Sequence, residues 1–333
     1  MFSCVAVSNV NLQVMRPAEI TVTPSVLKLG LIDRSHSDKK GKTKNLIEGV
    51  LSGEGSYQDR ISSVEALNGL ATGLSKSQRF SVFQIPDAGL TNNGSQSFSP
   101  ALDWNLIREL CLKNNVDALV VLEIFDTDKR MKWSTETRPV QKNGISQNEI
   151  LQVVNSTVTL TTGWRIYDPA SQTILDEYQF NEYKSSQGKG LTSYEAESML
   201  AQYSTMVSEL AHSCGNTYAL RIAPTPMMVS RSYYTAGDPR MEVAKEYIVN
   251  EKYDEALKLY QEVNENAVKP KVKARAAHNI AMVCEVKGDL DLAIEWAQKA
   301  IALGNKSTKY YLAVLQKRKT DDAKAKEQLI NTK

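Results

Sequence analysis

Three histidines, His36, His212 and His278, stand far apart in the sequence, and none forms an H-x-x-x-H or His/Cys pairing with metal-ligand spacing. No metal and no cofactor is expected. Gly41-Lys42-Thr43 has the ending of a phosphate-binding loop, whose glycine-rich backbone and lysine cradle phosphates. The loop's first glycine would fall at position 36, which is a histidine, and this excludes nucleotide binding by that route. No serine or cysteine sits in a turn motif such as G-x-S-x-G that exposes a nucleophile. The remaining catalytic candidates are Glu123 and Asp126, at the exit of an apolar strand, because strand ends of α/β sheets host ligands. Charged residues at such an exit more often mark only where water begins. The chain is therefore read as a non-enzyme, with no catalytic residue assigned.

The elements that would position these groups change character along the chain. Val26–Asp33 is a short apolar run typical of a sheet interior. Ile61, Val64, Leu67, Leu70 and Leu74 recur at helical spacing, and Arg79–Ile85 reads as a strand ended by Pro86. Asp103 is placed to cap a helix whose apolar side is Leu106, Ile107, Leu110 and Cys111. Val116–Phe125 is the most continuous apolar strand. Strands and helices alternate to this point, which argues for an α/β sheet. From Val158 to Ile166 apolar and polar residues alternate, and Thr173–Phe180 returns as a hairpin partner after the turn Asp168-Pro169-Ala170-Ser171. A helix through Leu200, Val207, Leu210 and Cys214 and a strand at Met227–Tyr234 complete this part; a short strand is also expected at Ala18–Val22.

With 40 basic and 38 acidic residues mixed along 333, the chain is almost neutral, which argues against a nucleic-acid partner. No run of about eighteen apolar residues is present to span a membrane. Cys111, Cys214 and Cys284 belong to no C-x-x-C pair and fall in apolar helical patterns, where buried free thiols are expected.

The segment Ala274–Leu303 (ARAAHNIAMVCEVKGDLDLAIEWAQKAIAL) reads as two helices with small residues at their crossing and a turn at Lys287-Gly288-Asp289. Ile280, Ala281, Cys284, Ala293, Ala297 and Ala300 stand at its packing positions; Val243, Ala244, Tyr247, Ala256 and Tyr260 repeat them upstream. Residues Met241–Gly304 thus resemble the tetratricopeptide repeat (TPR) superfamily. Ala256 and Ala293 lie 37 residues apart, against a usual period of about 34. The segment Lys309–Ile330 is expected as a shortened, capping helix pair. The resemblance implies a concave face that collects Met241, Lys245 and Ile248 from one helix and Arg275, His278, Met282 and Glu285 from another. Such a face suits a protein or peptide partner: Arg275 to pair with a carboxylate, Met282 to adapt to irregular apolar groups. The competing reading is a face filled by the protein's own α/β domain.

Met1-Phe2-Ser3-Cys4 looks like the end of a bacterial lipoprotein signal, in which a small residue precedes the lipidated cysteine. Together with RFSVF, VDALVVLEIF, the hinge Arg231–Gly237 (RSYYTAG) and KARAAHNIAMVCEVKGDLDLAIEWAQKA, it makes the whole chain resemble a family of Bacteroidetes cell-envelope lipoproteins. That resemblance implies lipid attachment at Cys4, membrane contact only through that lipid, and a folded part facing the periplasm; without an upstream signal the location would be cytoplasmic. The expected architecture has a linker at 1–24 and an α+β or α/β mixed-sheet domain at 25–236. An all-α TPR-like helical domain of about two repeats plus capping helices follows at 237–333. The expected function is that of an interaction scaffold, with a cytosolic adaptor, or an enzyme or small-ligand binder at the strand ends near Glu123, as alternatives.

Overall fold

The structure is a computed structural model and describes residues 6–36, 56–86, 89–92, 97–142 and 144–329. Cys4 and the Gly41-Lys42-Thr43 loop lie outside the described residues. The chain divides into two compact units, residues 18–223 and residues 224–328 together with the strand that precedes position 17.

The first unit is an α+β mixed sheet. Strands β2 (Lys28–Asp33), β3 (Ser81–Gln84), β4 (Ala118–Lys142), β5 (Ile145–Asp168) and β6 (Thr173–Gly190) lie in the order β3-β2-β4-β5-β6. β2 pairs in parallel with β3 and β4, whereas β4, β5 and β6 are antiparallel neighbours. The parallel pairs need crossovers, supplied by α1 (Ser56–Ser75) and α2 (Trp104–Asn114). A short helix α3 (Ser193–Ser198), started by a Thr192/Glu195 capping box, precedes α4 (Tyr203–Ile222).

One sheet face packs Leu122, Leu160 and Trp164 against Leu70 and Leu74 of α1 and Val207 and Leu210 of α4. The other packs Ile32, Leu119 and Tyr167 against Ile107, Leu110 and Cys111 of α2. As expected, Asp103 caps α2, accepting hydrogen bonds from the Asn105 and Leu106 amides. α1 and α4 touch backbone to backbone: a Cβ added to Gly69 would lie 2.0 Å from the His212 carbonyl oxygen, and one on Gly215 2.0 Å from that of Ala66. Any larger residue at either position forces the helices apart.

Two expectations change here. The strand expected to end at Phe125 continues to Lys142, and its partner begins at Ile145 rather than near Val158. Every residue from Arg130 to Pro139 is exposed, so neither face imposes the alternation by which a strand is recognised. Since β6 ends opposite Gln152, the far end of β4 and β5 is a two-stranded ribbon.

The second unit starts with β1 (Val7–Arg16), which pairs antiparallel with β7 (Thr225–Tyr234) in the register Val7↔Tyr234 to Arg16↔Thr225. The expected 1–24 linker therefore contains a strand, no strand forms at Ala18–Val22, and β7 leaves the mixed-sheet domain in which it was expected. The reason is burial: Val10 and Tyr233 belong to the helical core, not to the sheet's. Five helices follow, α5 (Pro239–Val249), α6 (Tyr253–Asn266), α7 (Pro270–Val286), α8 (Leu290–Ala302) and α9 (Thr308–Leu329). Ala256, Ala293 and Ala297 are fully buried, so small side chains let consecutive helices approach. Gly288, at φ +85°, makes the α7–α8 turn, and Asp289 caps α8. The expected final helix pair is a single helix, because 308–329 holds neither glycine nor proline. Among the described residues, no helix is long and apolar enough to cross a membrane.

A candidate interaction surface on the helical unit

α7 is buried on nearly all sides, from Val272 to Glu285. A helix so enclosed must find internal partners for every polar side chain it carries, and α7 carries Arg275, His278, Asn279 and Glu285. It finds them on β7, on the residues just after it, and on α9. Asn279 pairs with both backbone groups of Tyr234: the Tyr234 amide donates to Oδ1 at 2.8 Å, and Nδ2 donates to the Tyr234 carbonyl at 2.6 Å. His278 Nε2 donates to the Ser232 carbonyl at 3.0 Å, so Nδ1 accepts from the Thr308 hydroxyl at 3.0 Å. Burial lowers the His278 pKa, opposed by the Ser232 hydrogen bond, and the ring is held neutral in this tautomer. Arg275 donates to the Ala236 carbonyl at 3.2 Å and lies over the Tyr234 ring.

Glu285 anchors the other end. Its carboxylate is fully buried and accepts from Arg231 Nε at 2.9 Å, Arg318 Nη1 at 2.9 Å and the Tyr311 hydroxyl at 2.6 Å. Burial and the Glu285 charge hold the Tyr311 phenol well above its ordinary pKa, so it stays a donor. An isolated carboxylate in this position would be strongly destabilising; two guanidiniums and a phenol supply the missing solvation. The inner helix thus holds an extended segment, Arg231 to Ala236, mainly through its backbone.

This corrects the expected concave face. Met241, Ile248 and Met282 lie in the hydrophobic core of the unit, and Lys245 is half-buried on α5. Arg275, His278 and Glu285 are brought together, but on the chain's own strand β7. The occupant belongs to the helical unit, whereas the competing reading assigned it to the α/β domain. Asn279, Arg231, Tyr311 and Arg318 were not anticipated; the signal for Asn279 is an amide inside an otherwise apolar run, AAHNIAMV.

Space remains beside the seated strand. A half-open cleft of about 460 Å³ is lined by Val7, Ser232, Tyr233, Tyr310, Tyr311 and Val314 among others. A second, of about 400 Å³, shares Tyr234 and Ser307 with it and adds Lys271, Arg275 and Lys306. Tyr310 is 80% exposed on the rim of the first.

The strand-end candidates of the sheet unit are differently placed. Glu123 is fully buried and accepts from Arg34 Nη1 at 3.2 Å and the Tyr167 hydroxyl at 2.7 Å, with Arg165 Nη1 3.5 Å away. The same arginines donate to the carbonyls of Thr91, Pro100 and Ser99, tying loops together. Burial and the Glu123 carboxylate push the Tyr167 phenol up to about 12. Asp126 is half-buried. Nearby, burial acts to raise the Asp33 carboxyl, but His36, Ser63 and the Ser35 amide outweigh it and hold it below the ordinary value. His36 meets Asp33 and Ser63 through the same nitrogen, Nε2, at 2.9 Å each. A Ser-His-Asp relay needs both ring nitrogens, so this cluster ties β2 to α1 without activating the serine.

A family model described as Domain of unknown function (DUF8603) matches residues 26–234, more than half of the chain. The chain belongs to the DUF8603 family. Residues 242–326 match a second model, Domain of unknown function (DUF6340). The DUF8603 match ends on Tyr234, so its last residues are the seated strand, while the DUF6340 match contains Asn279 and Glu285, which hold it. No curated protein matches the sequence. Among solved structures, the chain is similar to the PelC dodecamer from Paraburkholderia phytofirmans, at 10% identity and TM-score 0.24, over 65% of this chain and 99% of that one. It is also similar to a neuraminyllactose-binding hemagglutinin homolog from Helicobacter pylori, at 12% identity and TM-score 0.21, over 58% of this chain and 81% of that one. Likeness at this level carries no functional argument.

Proposed function

We propose that this chain is a non-enzymatic interaction scaffold of the bacterial cell envelope that receives a protein partner on its TPR-like helical unit. The partner meets the composite surface made by β7 and the helices around it, since the inner face of α7 already holds β7. The observation that carries this reading is the half-open cleft of about 460 Å³ with Tyr310 exposed on its rim beside Val7 and Val314. Exposed aromatics next to an apolar hollow are the features from which protein interfaces are built. The resemblance to envelope lipoproteins, in which Cys4 would take the lipid, supports anchoring to the membrane.

The test is a photo-crosslinking amino acid at Tyr310 in intact cells, with a control at Val268, which is 95% exposed in the same unit. The expected result is one discrete adduct from position 310, absent from position 268, recovered with membranes and carrying a lipid-modified Cys4. Equal labelling at both positions, or none at 310, contradicts the interaction surface. An adduct in the soluble fraction with an unmodified Met1 peptide favours a cytosolic adaptor instead.

A further inference from the structure

In the sheet unit, one edge of β4 is open over most of its length. Among the described residues, β4 has a strand neighbour on the edge away from β5 only at Ala118–Leu122, where β2 pairs with it. An exposed edge of this length pairs readily with another strand unless its side chains forbid it. Those of β4 favour one register over its neighbours.

We infer that β4 pairs antiparallel with β4 of a second copy of this chain, about a two-fold axis at Trp133. In that register Asp128 faces Arg138 of the other copy, Arg130 faces Glu136, and Lys132 faces Ser134. By symmetry each contact occurs twice, as an isologous interface requires. A slip of two residues in one direction sets Asp128 against Glu136 and Lys132 against itself. A slip the other way sets Lys132 against Glu136 but also Arg130 against Arg138, a like-charge clash that the register centred on Trp133 does not contain. Directly opposed like charges destabilise a strand pair, and opposite charges stabilise it. On the other face Trp133, 43% exposed, meets its own copy, flanked by Met131, 39% exposed. The groups that would exchange already have partners within the chain: Arg130 pairs with Asp128 at 2.8 Å, Arg138 with Glu149 at 2.7 Å and Glu136 with Lys189. Arg130, Arg138 and Glu136 are themselves half-exposed or more, and ion pairs at such side chains contribute little.

The test uses the full chain with Cys4→Ser; Cys111, Cys214 and Cys284 are buried. Under mild oxidation Trp133→Cys should give a disulfide-linked dimer, because the two positions are directly opposed. Thr135→Cys should not, because in this register its two copies stand about 13 Å apart, beyond disulfide reach. By sedimentation, Arg130→Glu and Glu136→Arg should each weaken the dimer about tenfold, through two broken cross-strand pairs. The double variant restores opposite charges and should return to near the parent. A monomer at all concentrations, cross-linking at 135 in place of 133, or a double variant as weak as the singles would overturn the inference.

Discussion

Each unit buries one glutamate between two arginines and a tyrosine. In the sheet unit Glu123 takes Arg34, Arg165 and the Tyr167 hydroxyl at 2.7 Å; in the helical unit Glu285 takes Arg231, Arg318 and the Tyr311 hydroxyl at 2.6 Å. The chemistry is the same and the use differs. The arginines of Glu123 go on to loop carbonyls at Thr91, Ser99 and Pro100, so that cluster fixes loops at the strand ends. One arginine of Glu285 lies on β7, so this second cluster holds an extended strand against a helix. A buried ion cluster in a fold of this kind is thus a fastening, and what it fastens is read from where its arginines originate. By itself it indicates neither catalysis nor a site for a foreign ligand.

The strongest way to break the comparison is to remove each carboxylate in turn. Glu285→Ala removes the carboxylate that compensates Arg231 and Arg318 in the interior, a change that costs about 3–5 kcal/mol; Glu123→Ala costs less, because Arg165 keeps Glu177 at 2.6 Å. The consequences should be local. Hydrogen exchange in Glu285→Ala should rise at Thr225–Tyr234 and leave the sheet unit unchanged. In Glu123→Ala it should rise at β2 and the adjoining loops and leave β7 protected. The same pattern in both variants would remove the distinction.

A smaller change sharpens it. Asn279→Ala keeps the ion cluster but leaves the Tyr234 amide and carbonyl without their side-chain partner, for about 1–3 kcal/mol, measurable by denaturant unfolding. Smaller again is the effect of pH. Burial depresses the His278 pKa in the folded chain, so between that value and the unfolded value near 6.5 the unfolded chain binds more protons. The stability contributed by neutral His278 is therefore complete above about pH 6.5 and is lost as the pH falls through the depressed value. His278→Gln should flatten this dependence for the helical unit; an unchanged acid slope would show that His278 is not its source.

The sequence made the apolar parts of this chain legible. Val26–Asp33, the helix through Leu67 and Leu74, the Asp103 cap and the Lys287-Gly288-Asp289 turn follow from periodicity and local hydrogen bonding, and the structure has them. It hid elements whose stability comes from afar. The β4 segment from Arg130 to Pro139 has no buried residue, so it leaves no alternation to read. β1 pairs with a strand more than two hundred residues later, a contact that no local pattern records. The candidate groove residues were half legible: Arg275, His278 and Glu285 do converge. Their occupant was missed because the strand at Met227–Tyr234 was expected in the mixed-sheet domain and Arg231–Gly237 was read as a hinge, and because Asn279, which grips the strand's backbone, looks like one polar residue in an apolar helix.

The central claim, that α7 grips β7 through its backbone, is tested most directly by the exchange rate of the Tyr234 amide. The hydrogen bond to Asn279 Oδ1 predicts slow exchange in the native chain and rapid exchange in Asn279→Ala, with the neighbouring Tyr233 amide much less affected. Rapid exchange at Tyr234 in the native chain, or equal protection in both proteins, would contradict the claim.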